Sequence, residues 1–154
     1  MHIRKETEDC ISVAFEIPPE WEEEFRFKAG QNITIRTQML GEELRRSYSI
    51  CSSPQENELR IAIKKAPGGR FSGYALESLK AAQVLEVLPP TGNFQLSLNE
   101  KNKNQYIAFA AGSGITPVIS LIKAILKEEP LSRVTLIYGN RTSSSVIFRE
   151  ELEG

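Results

Sequence analysis

The chain has 154 residues, room for one ordinary domain or for one domain plus part of another. It is 40% hydrophobic and 25% charged, as soluble globular domains are, and its formal net charge of −1 gives nucleic acid no global electrostatic attraction. No apolar run is long enough to cross a bilayer and residues 1–7 lack the apolar stretch of a secretory signal, so no membrane role is expected and the expected compartment is the cytoplasm.

Residues 11–17 alternate apolar with small or polar side chains, the period of a half-buried strand, and Pro18-Pro19 ends them. Residues 32–37 alternate likewise after the turn at Ala29-Gly30. Residues 44–51 and 59–64 are further strand candidates, separated by the polar turn 52–57. A helix is expected over about 71–79, then a strand over 84–88 closed by Pro89-Pro90. Short strands at regular spacing with Gly/Pro turns predict an antiparallel barrel or sandwich.

The pattern changes at the polar linker 99–105. Residues 106–111 are nearly continuously apolar, as in a strand covered on both faces of a parallel sheet. A helix follows over about 116–127, with Val118, Ile119, Ile122, Ile125 and Leu126 at helical spacing, and then a strand over 134–138. This is β-α-β, the unit of a doubly wound sheet, and residues 146–152 read as the start of another helix. The expected division is 1–100 for the barrel and 105–154 for the α/β part.

Three strings carry the chemistry. In Arg46-Ser47-Tyr48-Ser49 an extended backbone puts Arg46 and Tyr48 on one face. Arginine offers a fork of donors for a diphosphate, and tyrosine a flat stacking surface with a hydroxyl. Taken alone, an ordinary edge strand with a surface arginine accounts for the string. In Gly68-Gly69-Arg70-Phe71-Ser72 the glycines let backbone N–H groups approach a phosphate, the following helix aims its positive end there, and Ser72 is a candidate cap. A plain Pro-Gly turn at Pro67-Gly68 accounts for it as well. The third string, Gly112-Ser113-Gly114-Ile115-Thr116-Pro117, lies between a buried strand and a helix, the context in which a Gly-x-Gly loop binds a dinucleotide. It lacks the third glycine of the common fingerprint, and a tight βα turn is the other reading. Beyond the second strand no acidic residue stands ready for a ribose hydroxyl. Arg141 among hydroxyl neighbours suits a 2′-phosphate, or merely solvates a loop.

Cys10 and Cys51 lie far apart and form no C-x-x-C, and His2 is the sole histidine. A metal site, a disulfide framework and a histidine base are therefore not expected.

In this order the three strings resemble the ferredoxin–NADP reductase superfamily, nearest to the reductase components of oxygenases of the phenylacetyl-CoA type. The resemblance runs from about residue 5 to the end of the chain. It implies a six-stranded antiparallel FAD-binding barrel followed by the first β-α-β part of an NAD(P)-binding domain, in a chain that stops within that domain. It implies hydride transfer from nicotinamide to flavin N5 and onward passage of single electrons to an iron–sulfur domain or oxygenase partner. Arg46 would hold the FAD pyrophosphate, Tyr48 stack on the flavin and Ser49 hydrogen-bond near N5. Ile63, Lys64 and Lys65 would line the ribityl side. Gly68, Gly69, Arg70, Phe71 and Ser72 would cradle the pyrophosphate through backbone amides. Gly112, Ser113, Gly114 and Thr116 would receive the nicotinamide nucleotide, with Thr116 near the meeting of the two rings, and residues 138–141 would border the adenosine end. Tyr48, Ser49 and Thr116 are thus the expected catalytic positions. NADPH is the favoured donor through Arg141. The family's late cysteine and its [2Fe–2S] ligands have no counterpart in Cys10 or Cys51. Two parallel strands with an open edge predict a homo-oligomer formed through the α/β part. The alternative reading is a barrel that has lost cofactor chemistry and serves in binding or regulation.

Overall fold

The computed structural model describes residues 1–154. Six antiparallel strands form two three-stranded sheets. The first has the order β1-β2-β5, from β1 (His2–Thr7), β2 (Cys10–Phe15) and β5 (Leu59–Lys64). The second has the order β4-β3-β6, from β3 (Asn32–Met39), β4 (Glu42–Ser49) and β6 (Glu86–Thr91). An isolated bridge between Ile50 and Ile61 joins the two sheets just past the end of β4. Between them lies one core of Val13, Ile33, Ile35, Ile50, Leu59, Ile61, Ile63, Phe71 and Ala75. The alternation in 32–37 and 59–64 is what fills it, since every second residue of a strand faces the same way. Helix α1 (Arg70–Ser78) seals the core with Phe71 and Ala75.

Several elements depart from the sequence reading. β1 has the sequence HIRKET, which shows no apolar alternation, and it forms as an edge strand by pairing with β2. Pro89-Pro90 does not close β6. Thr34 pairs with Leu88 and Asn32 with Thr91, so the prolines occupy a bulge on an edge strand, where their missing N–H groups cost no ladder bond. Residues 146–148 are not helical. Ile147 and Phe148 are buried, Phe148 has a left-handed φ of 60°, and α3 (Arg149–Glu153) begins only after it.

Gly30 has φ +92°, and a Cβ there would lie 1.7 Å from the Phe94 carbonyl oxygen. The chain leaving β6 therefore crosses the β2–β3 connection at a point where only glycine fits.

The α/β part comprises β7 (Gln105–Ala111), α2 (Ile115–Glu128) and β8 (Arg133–Gly139), with β7 and β8 parallel. Contrary to the expectation of a strand covered on both faces, β7 alternates between half-buried and exposed residues. Tyr106, Ala108 and Ala110 lie on its more buried side, while Ile107 and Phe109, with Ile137 of β8, lie exposed. The seam with the barrel is a second core of Cys10, Cys51, Ala62, Ile115, Ile119, Ile147 and Phe148. Ser120 donates to the Ser52 carbonyl across it at 2.6 Å, Lys123 pairs with Glu56 at 3.1 Å, and Arg4 pairs with Glu151. Glu129, fully buried at the end of α2, accepts from Asn99 N, Asn102, Tyr106 and Ser132. Burial alone would raise this carboxyl's pKa, but the hydrogen bonds hold it below the usual range and fasten the polar linker to α2.

Candidate functional site

β4 lies at the edge of its sheet. Its register sets Arg46 opposite Ile35 and Tyr48 opposite Ile33, both core residues. Ser47 is on the outer face, its hydroxyl 2.8 Å from that of Thr34. Tyr48 is half-buried, and burial raises its pKa. Its ring is backed by Phe71 at a centroid distance of 6.1 Å, and Phe71 is backed by Tyr74 at 6.3 Å. The first string and the second are thus held together by an aromatic contact.

Arg46 is exposed. Its guanidinium donates to the neighbouring Arg45 carbonyl at 2.8 Å and has no carboxylate partner. The nearby arginines differ: Arg36 pairs with Glu86, Arg45 with Glu43 and Arg70 with Glu42. Arg46 is therefore the cation of β4 left available to an external anion.

Gly69 is the N-cap of α1, and Gly68 has φ +69°. A Cβ on Gly69 would meet Ser72 Oγ at 2.4 Å and Ala66 Cβ at 3.0 Å. Ser72 does not cap the helix through the cap position as expected. It lies one turn in and accepts from the Ala66 amide at 3.0 Å, which folds the loop back onto the helix. The first-turn amides of α1 have no intrahelical partners, and open helix amides of this kind suit a diphosphate. The Phe71 and Ile63 side chains are 1% and 0% exposed in the core, so only their backbone groups can serve a ligand. Lys65 pairs with Glu77 at 2.7 Å. Ser49 is half-buried opposite Asn32.

The third string meets the end of β5. A Cβ on Gly112 would stand 4.0 Å from Lys64 Nζ, and Lys64 lies 3.8 Å from Asp9. Lys64 thus projects to the seam on the outer side of β5, the side opposite Ile63. Residues 112–114 form a 3-10 turn entering α2, with Gly112 at φ +51°. Thr116 is buried, and its hydroxyl donates to the Ser113 carbonyl at 3.0 Å, so it braces the turn. Tyr138 Oη donates to the Gly112 carbonyl at 2.8 Å, an anchor that the spacing of the two residues does not suggest. The parallel register puts Ala111 beside Gly139 and brings the two strand ends together. Arg141 is exposed and without an ion-pair partner. Cys10 and Cys51 are buried free thiols at the seam, and burial pushes the Cys10 pKa up to about 12.

Residues 2–96 match the oxidoreductase FAD-binding domain family, and residues 109–154 match the oxidoreductase NAD-binding domain. The chain belongs to the oxidoreductase FAD-binding domain family. It is 45% identical over 150 residues to one of the subunits of 1,2-phenylacetyl-CoA epoxidase from Escherichia coli K12, covering 97% of this chain and 42% of that protein. It is 37% identical over 151 residues to the ferredoxin reductase component of 3-ketosteroid-9-alpha-monooxygenase of Rhodococcus rhodochrous, covering 96% and 42%. Its fold superposes with a TM-score of 0.85, at 21% identity, on the flavohem-like FAD/NAD-binding domain of nitric oxide dioxygenase from Vibrio cholerae, covering 99% and 65%. The chain thus spans less than half the length of the two curated relatives it matches here. The expected barrel followed by the start of an NAD-binding domain is the fold observed, and no helix is long and apolar enough to cross a membrane.

Proposed function

We propose that this chain is the flavin-binding part of an NAD(P)H-dependent reductase that serves an oxygenase or an iron–sulfur partner. The observation that carries the reading is Arg46, an arginine without a carboxylate, on the same strand face as the half-buried Tyr48, whose ring packs on Phe71 just after the Gly68-Gly69 loop. The donor set fits FAD: a cation and open helix amides for the diphosphate, and an aromatic face for the ring. FAD would supply the capacity to take a hydride from a nicotinamide and release the electrons singly.

The chain's own residues bind, orient and exclude water. Arg46 and the amides of Arg70 to Ser72 would hold the diphosphate, the Gly69 amide donating instead to the Ala66 carbonyl at 2.9 Å. Tyr48, kept in place by Phe71, would present the stacking face, with Ser49 near the reactive edge. Gly112, Ser113 and Gly114 would receive the nicotinamide nucleotide, and Thr116 would hold that turn in shape. Lys64 and Lys65 would line the ribityl side, each already paired with a carboxylate, Lys64 with Asp9 and Lys65 with Glu77. Arg141 favours a 2′-phosphate and hence NADPH. No acid–base pair is needed for a hydride step, which depends on two rings held face to face.

The test is a visible absorption spectrum after incubation with FAD and removal of free cofactor. A retained flavin spectrum is expected. A colourless protein whose melting temperature does not rise with FAD would overturn the reading and leave a binding module. We further propose that two isolated chains associate through the exposed face of β7 and β8, where Ile107, Phe109 and Ile137 are open to solvent. A dimeric mass by sedimentation is expected, and a monomeric mass would remove this assignment.

A further inference from the structure

At the end of the barrel away from Lys64 lies a groove of about 800 Å³ that no residue of the cofactor site lines. β5 sets the separation. Lys64 pairs with Cys10 at one end and Leu59 with Phe15 at the other, about 17 Å apart for a strand of this length. Phe15, Phe25, Leu85 and Val87 line the groove and pack on the barrel core. One wall includes Pro18 and Trp21 and the other is residues 81–84; Trp21 is 50% and Val84 95% exposed. Two loops far apart in sequence thus leave large apolar side chains open to solvent beside each other, which isolated domains seldom do.

The rim is acidic. Glu16 and Glu24 line the groove, and Glu20, Glu22 and Glu23 lie on the same segment, residues 16–28, which with Arg26 and Lys28 carries a net −3 in a chain whose total is −1. Glu23 pairs with Arg26 at 2.6 Å and Glu16 with the amino terminus at 2.8 Å. Glu20, Glu22 and Glu24 are exposed and have no cationic partner. An apolar trough edged by carboxylates without partners complements a helix with apolar anchors on one face and lysine or arginine beside them. It repels acidic segments and anionic lipid surfaces alike.

We propose that this groove docks a basic amphipathic helical segment of a partner protein, leaving the cofactor site free. Trp21 is the sole tryptophan, so its emission reports on the groove alone. The experiment titrates the FAD-incubated chain with a synthetic amphipathic peptide bearing leucines on one face and lysines beside them. A second peptide carries glutamate in place of lysine. A saturable blue shift with the basic peptide is expected, with the flavin spectrum unmoved. Affinity should fall at least tenfold for the acidic peptide, for Glu22→Lys/Glu24→Lys and for Val84→Asp. These exposed positions should leave the melting temperature unchanged. The proposal is overturned by any of three results: emission that does not move, equal response to both peptides, or a shift that grows with protein concentration alone. The last would assign the groove to a second copy.

Discussion

Phe71→Ala should lower the unfolding free energy by about 3–5 kcal/mol, the range for deleting a fully buried aromatic side chain. Phe71 is 1% exposed and closes the barrel core from α1, so its loss leaves a cavity that the surrounding strands cannot collapse to fill. The same substitution removes the ring behind Tyr48, at 6.1 Å, and so loosens the proposed stacking face. Urea unfolding measures the first effect and FAD titration the second. Phe71→Leu keeps most of the volume and should lose less of both. A loss below about 1 kcal/mol for the alanine variant would show that α1 does not seal the barrel.

Arg46→Ala should act in the opposite sense: little change in the unfolding of the FAD-free chain and a large change in FAD binding. The side chain is exposed and holds no carboxylate, so the fold depends on it little. A charge-assisted hydrogen bond to a diphosphate is worth about 1.5–3 kcal/mol, which weakens FAD binding roughly tenfold to a hundredfold. Fluorescence titration with FAD measures it. Arg46→Lys keeps the charge and loses the fork, and should fall between. Unchanged affinity in Arg46→Ala would place the diphosphate elsewhere.

Much of the barrel is legible in the sequence because its strands are half-buried, and half-burial writes a period of two. Ile33, Ile35, Ile61 and Ile63 announce their strands and their inward faces together. β1 is silent because an edge strand exposes its charged side chains, and only pairing with β2 defines it. β6 is misread at its end because prolines signal a stop, whereas a bulge on an edge tolerates them. The run at 106–111 does not reveal that one face of β7 stays open in this chain, since an apolar strand looks the same whether or not a second layer is present.

The candidate site shows the same division. Arg46, Tyr48 and the glycines stand out by residue type, because their chemistry depends on charge, ring and missing Cβ. Which side chains reach a ligand depends on packing. Phe71 and Ile63 sit inside a loop and a strand that read as binding elements, yet their side chains belong to the core. Tyr138 reaches Gly112 only because two parallel strands end side by side. The groove at Trp21 arises from residues 15–25 and 81–89 and carries no periodic signal.

The seam between barrel and α/β part has a thermodynamic consequence. Cys10, Cys51 and Ala62 come from one side, and Ile115, Ile119, Ile147 and Phe148 from the other. Neither side can open without exposing the other's apolar surface, and the buried Ser120–Ser52 hydrogen bond breaks in the same event. The polar linker at 99–105 is therefore a border in composition and not in cooperativity. Heated, the two parts should melt as a single calorimetric unit, and a weakness introduced in α2 will be felt as instability of the barrel.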